Sequence, residues 1–345
     1  MADQVGVGVI GAGYWGSNLI RNLVHASGWD LRWVCDLDPE RTARALGKRT
    51  AVAVTTSLDE VLGDASVAAV AVATPADTHA DLTRQALAAG RHVLVEKPLA
   101  CSLTEGEALV ALAKDRGLVL MCDHTYCYTA PARHIRSLVR SGAVGEVHYV
   151  DSVRINLGLV KPDVDVFWDL ASHDLSILDF ILPDKTIPTG VVAHGADPIG
   201  AGRACVGYVI LPLARGGIAH AHVNWLSPMK IRRIIIGGSD GMIVWDDLNL
   251  PERVRIYDKS VSLAPALAAD RRDALVSYRL GDMVAPALRE EEALQVVVKE
   301  FRGAIVDRRA PLTGGEAGLR LLRVLEAVTI SLAGGGRFVS LESYR

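Results

Sequence analysis

The chain has 345 residues, half of them apolar and 22% charged, with a formal net charge of -3 at neutral pH. Acidic and basic residues are interspersed, which excludes a nucleic-acid or anionic-membrane surface as the governing feature and leaves small neutral or mildly anionic partners. The length predicts two domains, and no apolar run approaches the roughly 20 residues that cross a bilayer, so no membrane partner is expected.

Met1-Ala-Asp-Gln leads straight into a strand-like segment, with no basic n-region and no small-residue cleavage site, so a cytoplasmic location is expected. Five cysteines (35, 101, 122, 127 and 205) are odd in number and scattered, which predicts free thiols. Cys122, His124 and Cys127 form the densest group of soft ligands. No second Cys or His pair stands at zinc-ribbon distance, so a strand end entering a turn is the better reading and no metal is expected.

In the first third of the chain, strands are expected at Val5–Ile10, Leu31–Cys35, Ala51–Val54, Val67–Ala73, His92–Val95 and Leu118–Cys122, with helices over 14–27, 39–47, 57–63, 77–90 and 103–117 between them. Strands apolar throughout and separated by helix-length segments predict a doubly wound parallel sheet covered on both faces, a Rossmann-type α/β domain over 1–124. From 125 to 345 the pattern changes. A helix is expected at 130–141 and a Gly142-Ala-Val-Gly145 turn follows. Strand-like runs then come at 146–156, 188–195, 204–212, 217–225, 231–237, 242–246 and 253–258. They predict one large, mostly antiparallel open sheet, interrupted by a helix over 167–181 and closed by helices at 290–307 and 316–332. The stretch 259–285 is read as an irregular surface excursion.

Gly11, Gly13 and Gly16 follow the first strand and open the first helix, the context in which a GxGxxG loop carries weight. Gly11 permits the tight turn, Gly13 the approach of a pyrophosphate and Gly16 close helix–strand packing, while helix N–H groups point at phosphate. Tyr14 and Trp15 fill the variable positions, where they would cover a cofactor. Asp36, twenty residues on, is placed to accept hydrogen bonds from adenosine ribose hydroxyls and to repel a 2'-phosphate, so NAD is expected over NADP. Arg41 is open to three roles: pairing with such a phosphate, stacking on adenine or capping the next helix. Thr74, Pro75 and His79 follow the fourth strand at the edge where a dinucleotide crosses the sheet.

Glu96-Lys97-Pro98 follows the fifth strand, so Lys97 projects from that same carboxyl edge. A lysine at a strand end is ordinarily a solvated charge; beside a cofactor its ammonium can orient a substrate hydroxyl. Asp169 and His173 stand at i and i+4 of a predicted helix, which sets a carboxylate and an imidazole on one face. Taken together, the glycine loop, Thr74-Pro75, Glu96-Lys97-Pro98 and the Asp169/His173 pair resemble the Gfo/Idh/MocA family of sugar and cyclitol oxidoreductases over nearly the whole chain. The resemblance implies an N-terminal NAD(P) domain and a C-terminal open sheet that builds homodimers or homotetramers. It implies Lys97, Asp169 and His173 as the catalytic set, with His173 as acid/base. The family's common glycine between aspartate and histidine is Ala171 here. Its aspartate three residues after the histidine is Ser176, while Asp174 directly follows His173.

The run from Arg154 to Asp169 resembles the branch that oxidises C3 of UDP-linked N-acetylhexosamines or their uronic acids. Arg154 and Lys161 are then expected toward a phosphate or carboxylate and Asn156 toward a hydroxyl, against the alternative of a solvated strand edge. Related sequences act on aminoglycosides, amino sugars or cyclitols in antibiotic biosynthesis, which keeps that substrate class open. Outside dehydrogenases, a non-catalytic NAD-sensing regulator and a hydrolase with transient NAD redox remain as alternatives. His220 and His222 alternate along a strand and are expected on one side of the sheet.

Overall fold

The computed structural model describes residues 4–47, 49, 51–162, 164–263 and 276–342. In chain order the elements are β1 (Val5–Ile10), α1 (Tyr14–His25), β2 (Trp29–Cys35), α2 (Pro39–Leu46), β3 (Ala53–Thr55), α3 (Leu58–Gly63), β4 (Ala69–Val72), α4 (His79–Ala88), β5 (His92–Glu96), α5 (Leu103–Asp115) and β6 (Leu120–Asp123). Then come α6 (Ala130–Arg140), β7 (Val147–Leu157), a π-helical turn over Phe167–Ala171 running into α7 (Ser172–Ile181), β8 (Gly190–Ala196), β9 (Val206–Pro212) and β10 (Ile218–Asn224). The chain continues through β11 (Leu226–Gly238), β12 (Met242–Asp246), β13 (Val254–Leu263), β14 (Val276–Val284), α8 (Ala293–Val306), α9 (Gly315–Ala333) and β15 (Val339–Ser340).

The chain separates into two units. Unit one, Met1–Thr129 with Glu291–Arg323, carries a six-stranded sheet in the order β3-β2-β1-β4-β5-β6, with all neighbouring strands parallel. Val7, Val9, Val70, Val72, Val93, Leu94 and Val95 are fully buried, which is why these strands read as apolar runs rather than alternations: helices cover both faces. The outer edge of β6 is covered by the segment leading into α9. Cys122 donates its N–H to the Thr313 carbonyl at 2.9 Å, and Thr313 Oγ1 donates back to the Cys122 carbonyl at 2.7 Å.

That edge, and α8, come from beyond residue 290, so unit one is discontinuous, whereas the sequence suggested contiguous domains over 1–124 and 125–345. The physical tie is Trp29. It is buried, its ring stacks on Phe301 with centroids 5.6 Å apart, and its indole N–H donates to the Val298 carbonyl at 3.0 Å. An aromatic at the start of β2 thus needs α8 to cover it.

Unit two, Ala130–Glu290 with Val324–Arg345, is built on a nine-stranded sheet in the order β14-β13-β12-β11-β7-β10-β9-β8-β15, antiparallel except for β7 beside β10. Alternation is clean: Ala219, Ala221 and Val223 of β10 and Val209 and Leu211 of β9 are buried, while Ile218 and Tyr208 on the opposite face are about half exposed. Two local expectations are corrected. Part of 259–285 is not irregular: β13 runs on to Leu263 and pairs with β14, with residues 264–275 outside the described set. Its charges had suggested a loop, but ladder pairing holds the strands and Arg279 pairs with Asp258 across them at 2.6 Å. The helix over 167–181 opens as a π turn, where Asp165 Oδ1 accepts the N–H groups of Phe167 and Trp168 at 2.9 and 3.0 Å.

Phe301→Ala empties a fully buried site against Trp29 and should cost about 3–5 kcal/mol, read as a lower urea midpoint. Wild-type stability in that variant would mean that α8 does not complete the core of unit one.

Candidate functional site

In unit one the glycine loop has the shape its residues demand. Gly11 has φ +94°, and a Cβ there would lie 2.6 Å from the Ala73 carbonyl oxygen. A Cβ on Gly16 would lie 1.9 Å from the Gly11 oxygen, so only glycine lets α1 pack this closely. A Cβ on Gly13 would meet nothing within 4 Å, which leaves open space beside the backbone there. The start of α1 has no side-chain cap and no acidic residue in its first turn, whereas α2 and α5 are capped by Asp38 and Ser102. Its orphan N–H groups are therefore available to an anion, and these features fit a pyrophosphate.

Asp36, just past β2, accepts the Ala12 N–H at 2.6 Å and the Asp38 N–H at 2.8 Å, which fixes its carboxylate beside the loop. Arg41 lies 3.2 Å from Asp38 Oδ2 and is about half exposed; the cap of α2 is Asp38, not Arg41. Tyr14 is exposed, while the Trp15 indole donates to Asp123 Oδ2 at 3.1 Å, tying the loop to the end of β6. Thr74 Oγ1 pairs with Thr78 Oγ1 at 2.7 Å, and Pro75 precedes a short 3-10 turn. His79 is buried, with Nδ1 2.7 Å from the Pro98 carbonyl and Nε2 2.9 Å from the Thr74 carbonyl.

Glu96 Oε2 accepts the Lys97 N–H at 2.8 Å, and the Lys97 side chain is half-buried. Two residues at this edge went unassigned in the sequence, where His124 figured only as a metal candidate. Asp123 is buried and its carboxyl is pushed up by burial, against hydrogen bonds from Thr125 and Trp15 that hold it down. His124 is buried, its Nε2 has no hydrogen-bond partner, and burial and then the Lys97 charge push it down to about 4. The signal that finds both is positional: they end the sixth strand on the edge where Asp36, Thr74 and Lys97 end theirs. Among the described residues no group of three or more His, Cys, Asp or Glu is arranged to hold a metal, and no disulfide joins any of the five cysteines.

In unit two, Asp169 sits inside the π turn and its Oδ2 accepts the indole N–H of buried Trp225 at 3.1 Å. His173 is half-buried in the first turn of α7, and its carbonyl accepts Ser176 Oγ at 2.8 Å. Arg154 is neither a solvated strand-edge residue nor exposed to solvent. It is 4% exposed, and its Nε and Nη2 donate to the two oxygens of Asp174 at 2.7 and 3.2 Å. Ser152, two residues back on the same face of β7, donates to Asp174 Oδ1 at 2.7 Å. The clamp therefore grips the residue next to His173. Its sequence signal was Ser152 and Arg154 at alternating positions, with an acid beside the histidine. Asn156 is half-buried near the end of β7, and Lys161 is exposed in the segment after it. His220 and His222 share one sheet face, where His222 stacks on Tyr208 at 4.5 Å and His220 Nδ1 lies 3.4 Å from Asp151.

The 3-2-1-4-5-6 strand order with an uncapped glycine-loop helix defines unit one as a dinucleotide-binding domain. A family model described as "Oxidoreductase family, NAD-binding Rossmann fold" matches residues 5–124, and a model for the GFO/IDH/MocA C-terminal domain matches residues 132–244. The chain belongs to the Gfo/Idh/MocA oxidoreductase family, and NAD is its cofactor. It is 28% identical over 328 residues to a UDP-N-acetylglucosamine 3-dehydrogenase of Acidithiobacillus ferrooxidans, covering 94% of this chain and 96% of that protein. Among solved structures it is similar to GenD2 from gentamicin A biosynthesis in complex with NAD, at TM-score 0.80 and 28% identity, covering 99% of this chain and 97% of that one. It is also similar to the A. ferrooxidans enzyme GnnA, at TM-score 0.80 and 25% identity, covering 96% and 98%. No helix among the described residues is long and apolar enough to cross a membrane.

Two outcomes follow from the buried groups. The unfolded chain takes up a proton on His124 near its ordinary 6.5, but the folded chain does so only near 4. Its stabilising contribution is thus complete above pH 6.5 and falls by about 3 kcal/mol as pH drops toward 4. His124→Leu should flatten that acid limb in urea titrations from pH 7 to 4; parallel curves would show that the ring does not remain neutral in the fold. Asp174→Leu or Arg154→Met alone strands a buried charge and should cost about 3–5 kcal/mol, with the double variant recovering most of it. Additive losses in that thermal-melt cycle would mean that the pair is not coupled.

Proposed function

We propose that the protein is an NAD-dependent dehydrogenase of a sugar secondary alcohol, with C3 of a nucleotide-linked amino sugar or uronate as the reacting centre. The observation that carries this reading is the set of named groups. A lysine follows β5 at the cofactor-loop edge, and a carboxylate and an imidazole four residues apart lie in the π turn and the first turn of α7. Bound nicotinamide supplies the hydride acceptor. His173 takes the hydroxyl proton at a ring nitrogen during oxidation and returns it during reduction. Lys97 orients the same hydroxyl oxygen through its ammonium and stabilises the alkoxide character that develops. Asp169, steadied by the Trp225 indole, accepts a hydrogen bond from a neighbouring substrate hydroxyl or from the imidazole.

Likeness to the A. ferrooxidans UDP-N-acetylglucosamine 3-dehydrogenase along nearly the full length supports the nucleotide-sugar substrate. A second reading, a free amino sugar, aminoglycoside or cyclitol, is favoured by one feature: Arg154, the cation expected at a phosphate, is buried against Asp174. Lys161 and Asn156 then remain as the substrate-binding candidates of that segment, and Arg154 serves through its grip on α7. The half-exposed Tyr208 and Ile218 on the open sheet face support assembly into a homodimer or homotetramer through that face.

The deciding experiment offers NAD and a panel of UDP-N-acetylhexosamines, their uronates, free amino sugars, aminoglycosides and cyclitols, and follows reduced nicotinamide and the ketone product by mass. Lys97→Ala and His173→Ala should each lower kcat/KM for the accepted substrate by about 100-fold or more with NAD affinity retained. Tight NAD binding without oxidation of any panel member would favour a non-catalytic sensor, and unchanged turnover in either variant would remove that residue from the mechanism.

A further inference from the structure

We propose that His79 is the positioning residue for Lys97: one buried imidazole braces the segment after β5 against the segment after β4. The two connections belong to neighbouring strands, and each leaves a carbonyl pointing into the protein. His79 Nδ1 lies 2.7 Å from the Pro98 carbonyl oxygen and Nε2 lies 2.9 Å from the Thr74 carbonyl oxygen, and the residue is 1% exposed. Buried carbonyls need donors; each ring nitrogen faces one, and the neutral ring donates to one of the two. Pro98 is itself buried and follows Lys97 directly, so the Pro98 contact fixes the backbone from which the Lys97 side chain departs.

The charged groups that act on the ring are Lys97 and Asp77. Burial is the largest influence and lowers the ring's pKa, the two carbonyls raise it, and Lys97 lowers it while Asp77 raises it. Both carbonyls are served together only by the doubly protonated ring; the neutral ring keeps one donor, and the shorter Pro98 contact is the one that holds Lys97. The catalytic consequence rests on the role given to Lys97 above, but the brace is measurable without turnover.

The test uses the full chain without substrate. Lysines are trace-acylated with acetic anhydride across a pH series, and the rate at Lys97 is read by peptide mass spectrometry against exposed Lys114 as the internal reference. His79→Asn keeps a donor near the Nδ1 position, His79→Gln keeps one near Nε2, and His79→Leu keeps neither. His79→Leu and His79→Gln should change the Lys97 rate relative to Lys114 by about threefold or more and shift its pH profile, with His79→Asn close to wild type. A residue that only fills space would lower the melting temperature of all three variants without moving Lys97 relative to Lys114, and that result overturns the proposal. Should His79→Leu fail to fold, the contrast between His79→Asn and His79→Gln decides it. A restored Lys97 profile in His79→Asn, alongside unchanged turnover in Lys97→Ala, would refute the catalytic assignment and leave the brace standing.

Discussion

Because the six strands of unit one run parallel, every one of them delivers its carboxyl end to the same edge of the sheet. Residues more than a hundred positions apart are thereby collected along one edge: the glycine loop after β1, Asp36 after β2, Thr74 after β4, Glu96-Lys97 at the end of β5 and Asp123-His124 at the end of β6. The sheet cannot form without assembling them. What remains for side chains is local trimming, done here by Trp15 on Asp123, by Asp36 on Ala12 and by His79 on two carbonyls. The accumulated burial is visible in the titrating groups, with one carboxyl pushed up and two imidazoles pushed down along that edge.

Unit two solves a different problem with a buried charge. A guanidinium and a carboxylate withdrawn from water repay their desolvation only when nearly every donor and acceptor is matched, and Ser152 completes the match at Asp174. The bond runs between the middle strand of an open sheet and the first turn of a helix, so it fixes the rotation of α7 about its own axis. An apolar contact there would tolerate a small roll of the helix; a forked ion pair does not. Immediately before it, the π turn widens the backbone at Asp169, where the Trp225 indole meets the carboxylate.

The elements of unit one were legible because a strand buried on both faces and a helix ended by glycine leave unambiguous residue patterns, as at Val5–Ile10 and at Gly90. The glycine loop was legible for a stronger reason: steric exclusion at Gly11 and Gly16 leaves no other residue possible. Three features were hidden, each by long-range partners. Trp29 gave no sign that its cover lay some 270 residues on. Lys259 and Arg279 read as loop because local charge carries no information about which strand lies alongside. Arg154 read as a ligand-binding cation because a single strand cannot reveal that an aspartate twenty residues away will neutralise it.

Unit one closes only with residues that come after β14, when all but the last strand of the large sheet has been made, and α9 begins in unit one and finishes in unit two. During synthesis, therefore, the N-terminal sheet emerges from the ribosome with Trp29 and the outer edge of β6 uncovered, and stays so until more than three hundred residues have been made. No single cut in the gene detaches that half together with its cover.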